Sequence, residues 1–254
     1  HELNKENIDV AHLALIGAVG DVQEHMGFHG LNRDILRDAL DAGTIEVKEG
    51  LRLFGLYTKP LCKVLEYSTH PYIPGVTGHA DGAITFLEQN GIASRGKGRS
   101  VKLTDLDETS FGRLQTALQQ KGGEEFIGPV YLLRGTDDNT PLREVKEFST
   151  VLNACGRMGK AGLGIGVCLG DHASQQKALM VLDDYRREII QALEWFYQNK
   201  KTKHIIEGKG YTLINAEEQI RDTIIGTLTS LVSKSHVYPD GTIIMSMAHT
   251  LGGE

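Results

Sequence analysis

Apolar and polar positions alternate along the chain in a pattern that predicts short helices and strands. Residues 8–22 are almost all apolar or small, which indicates a buried element that leads to Asp21. Several further segments place apolar residues at helical spacing. These predicted helices cover residues 31–43, 61–68, 83–92, 110–120 and 142–155.

The longest predicted helix covers residues 172–200. Its apolar residues lie close to a single stripe, which is formed by Leu179, Leu182, Tyr185, Ile189, Leu193 and Phe196. A stripe at this spacing is typical of a helix that packs against a core, so we interpret it as a packing surface rather than as a cofactor site. Residues 204–248 then predict a strand, a helix and a second strand.

A break in composition precedes the middle of the chain. Residues 68–82 contain two prolines and three glycines, which mark turns and loops. Strand-like alternation begins at residue 44, and residues 124–135 predict a strand that Pro129 breaks. We therefore predict that residues 70–145 form a small inserted α/β module.

Composition adds limits on function. The 254 residues are 40% hydrophobic and 24% charged, with a net charge of -6, so a nucleic-acid site must be a local basic patch. No apolar run is long enough to span a membrane and no signal peptide is visible. The odd number and wide spacing of the cysteines predict a reducing, cytoplasmic setting. The three cysteines lack CxxC spacing and are interpreted as thiols that fill the core.

The segment 153–166 is rich in glycine and carries two cations. Its five glycines would let the backbone approach a ligand closely, while Arg157 and Lys160 supply positive charge beside the amides. Such a loop suits a phosphate oxygen. The spacing differs from a P-loop and from the dinucleotide-binding fingerprint. The alternative interpretation is a structural connection with two solvated cations.

Asp21 follows the apolar element directly. A carboxylate held at the edge of a core suits a hard cation such as Mn²⁺ or Mg²⁺. The alternative is a helix cap or an ion-pair partner. His25, four residues on, is interpreted as a surface histidine.

These segments together resemble the RecJ nucleases of the DHH phosphoesterase family. Residues 152–159, LNACGRMG, resemble the family's LNAAGR-type motif, and residues 13–24, LALIGAVGDVQE, resemble the motif whose aspartate binds a metal pair. Residues 31–55 resemble the stretch that follows that aspartate. Residues 72–78, YIPGVTG, and the insertion are similar to the archaeal branch, which includes the GINS-associated nuclease.

The resemblance implies an α/β fold with the C-terminal part of a DHH catalytic domain, an inserted small α/β module, a long connector helix and the start of an α/β accessory domain. The implied division is catalytic domain in residues 1–69, insertion in 70–145, return to the catalytic domain in 146–171, connector helix in 172–200 and accessory domain in 203–254.

The resemblance also implies chemistry. Asp21 would be a catalytic metal ligand for Mn²⁺ or Mg²⁺ in a two-metal site. Arg157, framed by Asn153 and Gly156, would contact a substrate phosphate, with Lys160 adding charge beside it. The substrate would be single-stranded DNA or RNA, and a GINS-type replication complex would bind at the 70–145 insertion.

The family's DHH triplet and its late GGH motif do not occur in this sequence. The chain begins at His1 and ends after a strand-like segment, so we expect a piece of a longer protein, inactive in isolation. The leading hypothesis is part of a metal-dependent exonuclease linked to DNA replication or repair. One alternative is a catalytically inactive replication scaffold, and another is a phosphoesterase for short oligonucleotides or cyclic dinucleotides.

Overall fold

The computed structural model describes most of the chain. The described residues are 5–24, 27–56, 58–68, 71–96, 98–122, 126–137, 140–235 and 237–250. His25 lies outside them, so its expected position at the surface stays a prediction.

Helices make up most of the regular structure. They are α1 (Ala11–Gly20), α2 (Gly30–Asp41), α3 (Leu61–Glu66), α4 (Ala80–Gln89), α5 (Glu108–Gly122), α6 (Val145–Arg157), α7 (Ala161–Cys168), α8 (His172–Asn199) and α9 (Asp222–Lys234). The strands are β1 (Ile45–Leu51), β2 (Arg95–Gly96), β3 (Arg99–Ser100), β4 (Ile127–Leu133), β5 (Ile205–Gly208), β6 (Tyr211–Asn215) and β7 (Ile243–Met247). This mixture of helices and strands confirms the predicted α/β class.

The buried apolar side chains form two separate clusters. The first core joins α1, α2, α6, α7, α8 and α9 with the beginning of β1 and the end of β4. The second core contains only residues between Leu51 and Phe126, with α3, α4 and α5 around it. Phe126 is fully buried in it. The insertion predicted for residues 70–145 therefore differs in extent from the second core, which begins about twenty residues earlier and ends at Phe126.

A two-stranded antiparallel ribbon joins the two cores. Its register runs from Ile45 opposite Leu133 to Leu51 opposite Ile127. The expected break at Pro129 was wrong, because β4 continues through it opposite Glu49. In a two-stranded ribbon both strands are edges, where a proline without an N–H is tolerated.

The glycine-rich segment 153–166 is largely helical, which corrects the predicted loop. α6 continues to Arg157 and α7 starts at Ala161, so only residues 158–160 form a turn. Gly159 has φ of +69°, the left-handed conformation that the turn requires. Within α7, a side chain on Gly166 would collide with the hydroxyl of Ser174, so this glycine serves close helix packing against α8.

The connector helix α8 is the central element of the fold. Its predicted stripe is confirmed, since five of the six residues are buried and Leu179 is half-buried. α8 packs against α6, α7 and α9. Among the described helices none is long and apolar enough to cross a membrane.

The C-terminal part forms a three-stranded sheet. β5 pairs antiparallel with β6, and β6 pairs parallel with β7 after the crossover through α9. The predicted strand–helix–strand order was thus correct except that its first strand is a hairpin. The turn before β7 has Gly241 at φ of +85°, and Thr242 N–H donates to the Pro239 carbonyl.

Candidate functional site

Asp21 lies directly after the last residue of α1, with its side chain exposed. The helix ends in a Schellman motif, in which Gln23 N–H donates to the Ala18 carbonyl and Val22 N–H donates to the Val19 carbonyl. Val22 occupies the left-handed position of this motif with φ of +58°. A β-branched residue is strained in that conformation.

The same motif ends four other helices, and in each of them the left-handed position holds glycine. The four helices are α2, α4, α6 and α7, and the glycines are Gly43, Gly91, Gly159 and Gly170. Among the described helix ends with this motif Val22 is therefore the exception, and it stands beside the predicted metal ligand. A strained residue persists only where its surroundings hold it, so the hydrogen bonds of this helix end must hold Val22 in place.

Asn153 of α6 contacts the end of α1. Its Nδ2 donates a hydrogen bond to the Gly20 carbonyl at 3.3 Å. A Cβ on Gly20 would lie 3.5 Å from the same nitrogen, in ordinary van der Waals contact, so the two helices pack closely here. The structure thus brings Asn153 next to the residue that precedes Asp21.

Arg157 binds across to the accessory part of the chain. Its Nη1 donates to the Thr223 carbonyl at 3.3 Å and to Thr227 Oγ1 at 2.6 Å, while the Thr223 hydroxyl donates to the Arg157 carbonyl at 2.6 Å. The Tyr185 hydroxyl lies 3.3 Å from Thr227 Oγ1. We call this set of contacts the Arg157 clasp. It joins the end of α6 to the first turns of α9.

Gly156 and Lys160 complete the predicted set, and both are exposed. Gly156 has no atom within 4 Å of the position a Cβ would take, so the backbone there is open. Lys160 directly precedes α7, whose first N–H groups give the helix end a partial positive charge. That position favours an anion beside the Lys160 ammonium.

Four of the five predicted site residues thus follow one exposed edge of the molecule. Asn153 and Arg157 are four residues apart on α6, which places them on one helix face. Asp21 lies near the Asn153 end of this edge and Lys160 lies beyond Arg157. The edge therefore carries a carboxylate at one end and two cations at the other.

The described residues do not form a metal site by themselves. No group of three or more His, Cys, Asp or Glu side chains within the described ranges could hold an ion. Glu24, the buried carboxylate that follows Asp21 most closely, is paired with Arg52 at 2.7 Å. Asp21 alone does not fit the several ligands that a two-metal site needs.

Cys155 lies between Asn153 and Arg157 but takes no part in the exposed edge. It is fully buried, and burial raises the pKa of its thiol. A buried neutral thiol is a poor nucleophile, so the predicted role as core filler is confirmed for this cysteine.

The sequence interpretation missed the clasp partners Thr223 and Thr227. Both are threonines on the polar side of an amphipathic helix, and their spacing of four residues occurs on many exposed helices. Only the packing of α9 against the end of α6 gives them a role, and no local motif reports that packing.

The whole fold is similar to that of a known protein. The solved structure of CDC45 from Entamoeba histolytica superposes with a TM-score of 0.69 at 9% identity, and the match covers 98% of this chain and 56% of that chain. At this identity the likeness concerns the fold. A CDC45-like α/β architecture therefore describes this chain.

Sequence comparison identifies one domain within it. Residues 53–125 match the family model of the DHH-CID domain. They coincide closely with the second core. The match covers less than half of the chain, so it relates this part of the chain to the DHH-CID domain.

A further relative shares more sequence. The chain is 28% identical over 188 residues to the uncharacterized protein MJ0831 of Methanocaldococcus jannaschii, which covers 73% of this chain. The match spans 40% of that protein, and the CDC45 match spans 56% of the other. The chain thus corresponds to about half the length of the proteins that it resembles.

Proposed function

We propose that this chain is the substrate-binding part of a DHH-type phosphodiesterase that acts on single-stranded nucleic acid in DNA replication or repair. The observation that carries the proposal is the exposed edge on which Asn153, Arg157 and Lys160 lead to Asp21, with the open backbone of Gly156 next to Arg157. The DHH-CID match and the CDC45-like fold support the family.

The edge suits a nucleic-acid strand. Both hydrogen bonds of the Arg157 guanidinium use Nη1, so the clasp leaves its other N–H groups for a phosphate oxygen. The clasp also holds the guanidinium in one orientation before a ligand binds, which lowers the entropy cost of binding. Lys160 and the start of α7 would hold the next phosphate along the strand.

Asp21 would supply one ligand to Mn²⁺ or Mg²⁺, at the end of the bound nucleic-acid strand. The ion would polarise the phosphodiester and activate water when it is bound. Because one carboxylate cannot hold two ions, the remaining ligands would have to come from outside the described residues, and we expect these 254 residues alone to be inactive.

Binding of a fluorescent single-stranded oligonucleotide at several salt concentrations tests the proposal. Arg157→Ala and Lys160→Ala should each weaken binding and reduce the salt slope by about 0.7, the value for one phosphate contact to a single strand. Lys121→Ala on α5 removes the same charge from the surface of the second core and should leave the slope unchanged. Unchanged slopes in both site variants would refute the proposed interface.

A second function is a binding scaffold without catalytic activity. It is favoured by the isolated Asp21 and by the second core, which has its own apolar cluster and its own family match. In this case the second core would bind a partner such as the GINS complex.

The register of the ribbon offers a direct test of the scaffold function. Since Leu51 lies opposite Ile127, an Asn-Gly turn can replace residues 52–126 and close β1 and β4 as a hairpin. A scaffold would lose the GINS-type partner in a pull-down and keep its oligonucleotide affinity. Retained partner binding would reject the second core as the docking module.

A further inference from the structure

Two buried carboxyl groups lie at the start of α6. Glu144 precedes the helix and Glu147 lies in its first turn, and a spacing of three residues places both on one face. They are 5% and 2% exposed. One oxygen of each, Glu144 Oε2 and Glu147 Oε2, has no hydrogen-bond partner among the described residues. If both carboxyl groups were ionised, two like charges would be buried side by side without a hydrogen between them. Burial of the pair therefore costs free energy unless one proton is bound.

Glu147 also contacts the segment that leads into the second core. We call residues 52–56 the neck segment. The Gly55 N–H donates a hydrogen bond to Glu147 Oε1. Beside it, the Phe54 ring lies 4.1 Å from the guanidinium carbon of Arg186 on α8. The neck segment is therefore held between α6 and the connector helix.

Charged groups from several parts of the fold face the carboxyl pair. These groups are Lys146 of α6, Glu24 and Arg52, which pair with each other, Lys59 after the neck segment, and Asp183 and Arg186 of α8. Asp183 accepts from both Lys59, at 3.1 Å, and Arg186, at 3.4 Å. Asp183 thus partly neutralises these two cations, which weakens their attraction for the Glu147 carboxylate.

Protonation of the pair follows from its surroundings. Burial, followed by the charge of Glu147, raises the pKa of Glu144 well above its ordinary value. Burial raises the pKa of Glu147 to about 7, against the Gly55 N–H and the nearby cations, which lower it. The pair therefore retains a proton near neutral pH, and its titration steps belong to both groups together.

We propose that Glu144 and Glu147 bind a shared proton, and that this proton closes a latch between α6 and the neck segment. When the proton is lost, the two buried carboxylates are both negatively charged, so they repel each other and attract water. The Gly55 N–H favours the ionised Glu147, but burial has the larger effect on its pKa, so the charged pair becomes hydrated and the contact with the neck segment opens. Among the described residues, the second core is attached through the β1–β4 ribbon, the Arg52–Glu24 ion pair and its contacts with α6 and α8. The open latch removes one of these attachments and lets the second core turn relative to the first.

The sign of the pH effect is fixed by the direction of the pKa shifts. A carboxyl group whose pKa is raised on folding adds stability that is fully present below its unfolded pKa, near 4.5. That stability is lost as the pH rises through the folded value, about 7 for Glu147 and higher for Glu144. The latch should therefore open progressively as the pH rises through about 7.

Hydrogen exchange of the neck segment, corrected for the intrinsic rate at each pH, measures the latch in the full chain. Protection of Gly55 and its neighbours should fall at least about tenfold between pH 6 and pH 9, since the release of one proton corresponds to a factor of ten per pH unit. Glu144→Gln keeps a hydrogen-bond donor in place of the proton and removes one of the two buried charges, so its protection should depend on pH less steeply than that of the native chain. Glu49→Gln changes the same charge on the exposed side of β1 and should behave like the native chain.

Infrared difference spectra between pH 6 and pH 9 supply an independent measurement. The native chain should show the loss of a protonated carboxyl band that is weaker in Glu144→Gln. Two results would overturn the proposal: neck protection in the native chain that does not depend on pH, or the same pH dependence in Glu144→Gln. If Glu144→Gln folds poorly, absence of the carboxyl band in the native chain would overturn it as well.

Discussion

The side-chain amide of Asn153 donates to the Gly20 carbonyl at 3.3 Å, which joins the middle of α6 to the end of α1. This bond relates the two motifs that the sequence places more than a hundred residues apart. It places the predicted phosphate-binding face beside Asp21.

Replacement of Asn153 by alanine should release the end of α1. We expect a loss of about 0.5–1.5 kcal/mol in the free energy of unfolding, the usual contribution of one hydrogen bond, because the Gly20 carbonyl is partly exposed to water. Urea denaturation measures the loss, and hydrogen exchange locates it at residues 18–24. Asn90→Ala removes an amide that bonds only within its own helix, to Phe86, and should leave exchange at α1 unchanged.

Val22→Gly should stabilise the chain. A valine in the left-handed conformation costs on the order of 1–3 kcal/mol, while the extra freedom of glycine in the unfolded chain costs about 0.5–1 kcal/mol. The side chain is 50% exposed, so little burial is lost. We expect a net gain of about 1 kcal/mol by urea denaturation.

The matched reverse change is Gly43→Val, at the equivalent position after α2. It introduces the strain that Val22 carries, without a collision, because no atom lies within 4 Å of the new Cβ. It should destabilise the chain by about 1–3 kcal/mol. If Val22→Gly is also destabilising, the strain at Val22 is not real and the surroundings favour valine there.

Periodicity predicted the helices better than it predicted the site. The α8 stripe was visible because apolar side chains that face a core must recur at helical spacing. The glycines of residues 153–166 predicted a loop because local propensity disfavours glycine in helices. In α7 that penalty is outweighed by close packing against α8, which depends on Ser174 and so lies beyond any local pattern.

The carboxyl pair shows a second limit. Glu144 and Glu147 read as ordinary first-turn acids at a helix N-terminus, where negative charge is favourable. Their burial depends on the neck segment and on α8, which meet α6 only in the folded chain. The extent of the second core is also not visible in the sequence. It begins at Leu51, within the strand β1, and the first residue of that strand packs in the first core.

Manganese should report whether Asp21 is a metal ligand. Mn²⁺ is paramagnetic and broadens the NMR signals of nearby residues, so a site at Asp21 should broaden residues 18–24 at low concentrations of the ion. Asp21→Asn should abolish this local broadening, because an amide oxygen is a weaker ligand for a hard cation than a carboxylate. Asp81→Asn removes an exposed carboxylate from α4 and serves as the control. Equal broadening in Asp21→Asn and in the native chain would remove Asp21 from the metal site.

The Arg157 clasp makes a prediction that separates its structural and binding roles. Thr227→Val removes the hydroxyl that accepts from Arg157 Nη1, at 2.6 Å, and leaves the guanidinium charge in place. It should weaken the docking of α9 while the salt slope of oligonucleotide binding stays close to native. Arg157→Ala should weaken docking and also reduce the slope by about 0.7.

A double-mutant cycle in urea denaturation isolates the contact between these two side chains. We expect a coupling free energy of about 1 kcal/mol, below the usual value for a charged hydrogen bond because the pair is exposed to solvent. Additive effects of the two changes would show that the clasp does not stabilise the docking of α9. If Thr227→Val instead lowers the salt slope as much as Arg157→Ala does, the phosphate contact depends on the clasp, and Arg157 binds the strand only while α9 holds it in place.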